Sequence, residues 1–246
     1  AFAIPILQHL YSRNGHDKGP RKIRSLIITP TRELAIQIGE SFTTYGRYTG
    51  IKNTVVFGGV SQGAQVSALR MGVDILVATP GRLLDLMDQG YIRLHDIEYF
   101  VLDEADRMLD MGFAPQINRI LAVIPKKRQI MLFSATIPKE IITLARREMN
   151  LPVHVEVAPS GSTPDKIIQE MFFVERGSKT QLLEVMLERY LGPVLIFTRT
   201  KHGARKLARE VRSMGHTAAE IHSNRSLPQR REALDGFKSG KYRALV

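Results

Sequence analysis

The sequence contains no cysteine. That excludes a disulfide framework, thiol catalysis and any Cys-ligated metal, and it is in keeping with a cytoplasmic chain. Long apolar runs are also missing. The apolar runs are short, such as Ile75-Leu76-Val77-Ala78, far below the roughly 20 residues of a membrane span, so no membrane partner is expected. His202 and His222 have no second histidine or carboxylate at metal-ligand spacing and read as structural or surface residues. There is no aromatic-rich or Arg-Gly-rich tail, so any ligand must be held by the folded body. An initiator Met and a targeting signal are absent too. The chain opens mid-pattern at Ala1-Phe2-Ala3-Ile4-Pro5-Ile6-Leu7 and closes at Arg243-Ala244-Leu245-Val246, which reads as the start of a buried strand. Both ends are expected to be cuts.

What is present is a basic polypeptide of 246 residues, enough for one large domain or two medium ones. Lys and Arg number 35 against 24 Asp and Glu, a formal net charge of +11. Such an excess suits a polyanion, because neutralising phosphates releases counterions. It equally serves solubility, so charge alone leaves the partner open.

Short apolar strands alternate with helical patterns. Strands are expected at 25–28, 54–57, 75–78, 99–102 and 130–133, with helices at 32–45, 62–70, 82–87, 115–123 and 139–147 between them. Pro138 fits a first helical turn. Fully apolar strands separated by helices imply a parallel sheet covered on both faces. From Asn150 the texture changes to Pro, Gly and Ser, with a last strand expected near 154–157. A second series follows, with strands at 168–174, 194–197, 219–222 and 244–246 and helices at 178–190, 201–213 and 227–238. Ser178 with Gln181 matches a capping box, and Gly215 reads as a helix stop. The organisation is therefore a first α/β domain over 1–158, a linker at 159–166 and a second α/β domain over 167–246.

Doubly wound sheets place ligands at the carboxyl ends of their strands, and polar residues stand there. Asp103-Glu104-Ala105-Asp106 follows strand 99–102, as a Walker B carboxylate holding Mg²⁺ beside nucleotide phosphates would. Glu104 is placed to polarise water. The same four residues also suit a plain acidic helix N-terminus. Ser134-Ala135-Thr136 follows the next strand and either bonds a carboxylate such as Asp106 or caps the helix near Pro138. Pro30-Thr31-Arg32-Glu33-Leu34-Ala35 and Thr79-Pro80-Gly81-Arg82 each join a strand end to a helix N-terminus with a hydroxyl, free N–H groups and an Arg, a recurrent phosphate site. Gly58-Gly59 permits close backbone approach. Each alone could be a cap or a turn.

In this order the segments resemble the DEAD-box helicase family, and Arg107-Met108-Leu109-Asp110-Met111-Gly112-Phe113 extends the match. Val194-Leu195-Ile196-Phe197-Thr198-Arg199-Thr200-Lys201 resembles the family's motif IV, its text closest to compact bacterial members of the RhlE type. The resemblance covers essentially the whole chain. It implies two tandem RecA-like domains, both incomplete, with ATP and Mg²⁺ as cofactors and RNA as partner. Asp103 would hold Mg²⁺ and, with Glu104, the nucleotide; Glu104 would act on water; Asp106, Ser134 and Thr136 would couple hydrolysis to RNA. Pro30, Thr31, Arg32, Gly58, Gly59, Thr79, Pro80, Gly81, Arg82, Thr200 and Arg230 would line the RNA backbone, with 2′-hydroxyl contacts favouring RNA over DNA.

The sequence departs from the family in three places. No Gly-x4-Gly-Lys-Ser/Thr phosphate cradle occurs. Gly236-Phe237-Lys238-Ser239-Gly240-Lys241-Tyr242 is one residue too short and reads as a helix stop. The Thr-Asp and Arg-rich motifs expected beyond Val246 are absent, and loss of an arginine finger typically costs about 10³–10⁵ in rate, so the polypeptide alone is expected to be hydrolytically inactive. Where the family has Gln-x-x-Arg, Leu227 replaces the Gln, leaving Arg230 and a possible substitute in Gln229. Two alternatives stay open: a non-enzymatic RNA-binding module, and a helicase-fold motor acting on DNA.

Overall fold

The structure is a computed structural model that describes residues 1–13, 20–156 and 167–246. The chain divides into two compact units, Ala1–Pro164 and Asp165–Val246. The expected linker at 159–166 lies outside the described residues.

In the first unit, β1 (Ser25–Ile28), β2 (Asn53–Val56), β3 (Ile75–Ala78), β4 (Tyr99–Leu102) and β5 (Gln129–Leu132) form one sheet in the order β2-β3-β1-β4-β5. Every pairing is parallel, with Ser25 opposite both Ile75 and Tyr99. The helices are α1 (Ala3–Arg13), α2 (Arg32–Gly46), α3 (Gly63–Arg70), α4 (Pro80–Asp88), α5 (Ala105–Asp110), α6 (Ala114–Val123) and α7 (Lys139–Glu148).

The pleat divides each strand between two cores. Ile27, Ile75, Val77 and Val101 pack on Phe2, Ile6 and Leu10 of the N-terminal segment and Ile38 and Phe42 of α2. Leu26, Ile28, Leu76, Phe100 and Leu102 point the other way, onto Leu83 of α4, Met108 of α5, Ile117 of α6 and Ile141 of α7. Both faces are dry, which is why the strands read as continuous apolar runs. Each such side chain contributes about 1.5–3 kcal/mol. Phe42 is 1% exposed, its ring 6.3 Å from that of Phe2; truncating it to Ala would cost about 3–5 kcal/mol.

The connection leaving β1 runs to β2, whereas the one leaving β4 runs to β5 on the opposite side. Neighbouring strands that part in this way open a crevice at their carboxyl ends. Thr29-Pro30-Thr31 follows one strand and Asp103-Glu104 the other.

In the second unit, β6 (Val194–Leu195), β7 (Ala218–Ala219) and β8 (Ala244–Leu245) form a parallel sheet ordered β6-β8-β7, with α8 (Lys179–Arg189), α9 (Lys201–Ser213) and α10 (Leu227–Lys238). Its core joins Leu187, Val211, Ala218 and Ala244. Glu220, buried just past β7, is paired with Arg225.

Several expectations need correction. Residues 168–174 form no strand, and Ile168, Met171 and Phe173 are 89%, 79% and 91% exposed. A run of β-formers needs a ladder partner, and the three-stranded sheet offers it none. Residues 154–156 likewise form no strand, and Val157 lies outside the described residues. The capping box is not at Ser178. That residue ends a short 3₁₀ turn (Arg176–Ser178) in helical conformation and makes no capping bond, whereas a capping side chain needs an extended backbone. The box is at Ser226 and Gln229 instead. Pro138 stands at the N-cap of α7, one position before the first turn. The 11-residue α1 and the six-residue α5 are not among the expected helices. Gly215 and Gly240 do end helices, at φ +86° and +81°.

Candidate functional site

The ladder of the first sheet continues past its strands and holds the tips of β1, β4 and β5 together. Asp103 N–H donates to Ile28 O at 2.9 Å, Phe133 N–H to Leu102 O at 2.8 Å and Ala105 N–H to Phe133 O at 3.0 Å. Asp103 therefore lies in the crevice. Its Oδ1 accepts the Glu104 N–H at 3.1 Å. Burial is the largest influence on its carboxyl and pushes its pKa up; the Glu104 N–H opposes this, the Glu104 charge reinforces it and the chain's amino terminus opposes it, leaving the value raised. A partly desolvated carboxylate at a strand tip is a ready partner for a divalent cation.

Glu104 is held at φ 52°, ψ 50°, a left-handed conformation that costs a residue with a side chain about 1–3 kcal/mol. It occupies the N-cap position of α5 but makes no capping bond; its Oε2 lies 3.3 Å from Arg107 Nη1 instead. Such strain persists only where the surroundings over-determine it, and here the flanking amides of Asp103 and Ala105 are both tied to the sheet.

Asp106 is where the two hydroxyl-bearing residues converge. Its Oδ2 accepts from both the N–H and the Oγ1 of Thr136, each at 2.8 Å. Ser134 contributes differently: its Oγ accepts the Asp106 backbone N–H at 3.2 Å and donates to Thr136 O at 2.7 Å. Thr136 thus binds the Asp106 carboxylate, Ser134 holds the main chain around it, and neither caps α7. For the Asp106 pKa, desolvation is the largest single influence and acts upward, but the Thr136 hydroxyl, the Arg107 and Thr136 amides and Ser134 together outweigh it and leave the value lowered.

On the other side of β1 the expected backbone-contacting residues meet one another. Thr31 caps α2, its Oγ1 accepting Leu34 N–H at 3.3 Å. Arg32 lays its guanidinium against Gly59, which has φ +77° and where a Cβ would overlap that guanidinium. A Cβ placed on Gly58 would meet nothing within 4 Å. Arg82 reaches the same loop, donating from Nη2 to Val60 O at 3.1 Å, with Nε 3.3 Å from Asp85 Oδ2. Its side chain is only 14% exposed, so it braces the Gly-Gly loop rather than standing free in solvent. Thr79 and Pro80 are buried; Gly81 is exposed at the N-terminus of α4, where Thr79 makes no side-chain cap. Those first amide groups are the kind that bind phosphate. Sequence reasoning overlooked Gln65, a buried amide on α3 bonded to both backbone groups of Phe57; a polar residue on an otherwise apolar helix face was the available signal.

In the second unit Thr200 caps α9, accepting Gly203 N–H at 3.0 Å, and the adjacent Lys201 Nζ donates to Asn224 Oδ1 at 3.0 Å. Arg230 lies in the first turn of α10. Gln229 is committed to the capping box, its Oε1 accepting Ser226 N–H at 3.0 Å.

Comparison with known proteins shows the family. The profile of the DEAD/DEAH box helicases matches residues 1–144, and that of the helicase conserved C-terminal domain matches residues 178–246. The chain belongs to the DEAD/DEAH box helicase family. It is 39% identical over 246 residues to DEAD-box ATP-dependent RNA helicase 30 of Arabidopsis thaliana, which covers 98% of this chain and 41% of that protein. It is 39% identical over 249 residues to an ATP-dependent rRNA helicase of Meyerozyma guilliermondii, covering all of this chain and 51% of that one. The solved structure of a DEAD box protein from the hyperthermophile Methanococcus jannaschii matches with TM-score 0.55 and 32% identity, over 99% of this chain and 64% of that one. This DEAD-box chain thus spans about half the length of the curated relatives named. Among its described residues no helix is long and apolar enough to cross a membrane, and no group of three or more His, Cys, Asp or Glu could cage a metal.

Proposed function

We propose that the chain forms the core of an ATP-dependent RNA helicase, in which nucleotide bound at the tips of β1, β4 and β5 controls RNA held along the Thr31, Gly59 and Gly81 edge. The observation that carries the reading is the Asp106–Thr136 pairing. It ties the acidic segment after β4 to the loop after β5, so a change at the nucleotide has a short covalent and hydrogen-bonded route to a neighbouring strand end.

Mg²⁺ fits the residues present. It is bound through one or two carboxylates, waters and substrate phosphates rather than by a protein cage, and Asp103 is such a carboxylate. Asp103 would hold the ion, which would supply charge neutralisation at the phosphates. Glu104, adjacent and more exposed, would orient and deprotonate water. RNA would be gripped through its sugar-phosphate chain by the α4 amides, Thr31 and the Gly58-Gly59 loop, with Thr200 and Arg230 doing the same in the second unit. Backbone contacts of this kind carry little base information.

The Gly-x4-Gly-Lys-Ser/Thr cradle is absent from these 246 residues, so the polypeptide is expected to bind RNA without turning over ATP. The test uses the gene's complete product carrying Glu104→Gln. ATP binding should persist while RNA-stimulated hydrolysis falls by at least about 10²-fold; unchanged turnover would refute the role of Glu104. For the 246-residue chain, affinity for single-stranded RNA should fall steeply with salt. A flat response removes the RNA reading, and a preference for DNA favours a DNA motor.

A further inference from the structure

Gln65 has no part in the motifs from which the RNA surface was read, yet it fixes the loop on which that surface depends. It lies on α3, is 8% exposed, and spends both ends of its amide on one residue. Its Oε1 accepts the Phe57 N–H at 3.1 Å and its Nε2 donates to the Phe57 O at 3.0 Å. Phe57 is the residue that leads out of β2 into Gly58-Gly59.

The geometry follows from the sheet. β2 is an edge strand, paired only with β3. Backbone groups of successive residues in a strand face opposite sides, and Val56 O faces inward, accepting Thr79 N–H at 3.0 Å. Phe57 therefore turns its N–H and C=O outward, where no strand among the described residues stands to receive them. Gln65 supplies both missing bonds from a side chain. Beyond this clamp the loop has two further restraints, the Arg32 guanidinium on Gly59 and the Arg82 bond to Val60 O. Gly58, between clamp and restraints, is left with open space about its Cα, and a small flexible residue there has many conformations unless its neighbours are held.

We propose that Gln65 is a positioning residue for RNA binding. By acting as a surrogate strand at Phe57, it holds the Gly58-Gly59 backbone in the conformation that meets a nucleic-acid phosphate, without touching RNA itself. The inference rests on the RNA reading given above. It predicts that losing the clamp lowers affinity in the folded protein through order lost before binding, because a loop that must be fixed on binding binds more weakly.

The experiment titrates the 246-residue chain with a labelled oligouridylate over a range of salt, for the parent and for Gln65→Leu, Gln65→Glu and Ser67→Ala. Ser67 lies on the exposed side of the same helix. Folding is followed by circular dichroism, and opening at Phe57 by exchange of its amide proton. Gln65→Leu should raise Kd about three- to tenfold at every salt concentration, the equivalent of one or two net hydrogen bonds, and speed Phe57 exchange. Gln65→Glu keeps the acceptor for Phe57 N–H but sets a buried carboxylate oxygen against the Phe57 carbonyl, so its Kd should rise at least as far as that of Gln65→Leu, while Ser67→Ala matches the parent. Folded Gln65 variants with parental Kd would overturn the proposal. Loss of the folded signal in both Gln65 variants would also overturn it, by assigning the residue to stability of the unit. Failure of the parent itself to bind would instead remove the RNA reading on which the proposal stands.

Discussion

The guanidinium of Arg32 lies against the Cα of Gly59, so that a methyl group at position 59 would overlap it. Two segments separated by a whole helix and strand are thereby joined at the carboxyl edge of the sheet. Gly59→Ala must both adopt φ near +77° and displace Arg32. Urea unfolding should show a loss of about 1–2 kcal/mol, with weakened RNA binding. Gly58→Ala, with nothing within 4 Å, should cost no more than about 0.5 kcal/mol.

Arg82 offers a charge-neutral test of bracing. Arg82→Lys keeps the cation but cannot reproduce the forked bonds to Val60 O and Asp85. Stability should fall by about 1 kcal/mol. RNA affinity should fall as well, although the charge is unchanged. A variant with parental affinity and stability would show that the bond to Val60 is dispensable.

Asp106 should leave a mark on acid stability. Its folded pKa is lowered, so the stabilisation is present above the unfolded value near 3.8 and is lost as pH falls through the folded value. Thr136→Ala removes one of the bonds responsible. Melting temperatures of parent and variant should differ at neutral pH and converge in acid. The difference should be below about 1 kcal/mol, since the pair is largely solvent-exposed.

Asp103 should behave oppositely. Its folded pKa is raised from 3.8, so its contribution is present below the unfolded value and is lost as pH rises through the folded one. Asp103→Asn removes a carboxylate that is partly desolvated when ionised. At pH 7 the variant should be at least as stable as the parent by thermal melting, whereas Mg²⁺-dependent nucleotide binding by the complete gene product should be lost. A clear loss of stability at neutral pH would contradict the desolvation argument.

The two serines that precede helices in the second unit should respond unequally. Ser226→Ala breaks a capping box and should cost about 1 kcal/mol. Ser178→Ala should change stability little, because Ser178 makes no capping bond. Denaturant midpoints of the two variants decide it.

The capping boxes also show where sequence reading stops. Ser178-x-x-Gln181 satisfies the pattern, but the serine belongs to a 3₁₀ turn that holds it out of the required backbone conformation. Ser226-x-x-Gln229 satisfies it in space as well. The strand expected at 168–174 failed similarly: β propensity is a side-chain property, whereas a strand exists only when another backbone takes up its hydrogen bonds.

The sequence by itself determined the parallel sheet of the first unit, because strands buried on both faces must be apolar throughout, and that pattern with its helical intervals is local information. It also determined that the polar residues of the site stand at strand ends, and their order marked the family. Tertiary structure alone decided what those residues do to each other. It placed Thr136 rather than Ser134 on the Asp106 carboxylate, turned Glu104 into a left-handed conformation, set Arg32 against Gly59 and gave Phe57 its partner in Gln65. These pairings join residues from different elements, and their geometry depends on sheet register and packing angle, which no spacing along the chain encodes.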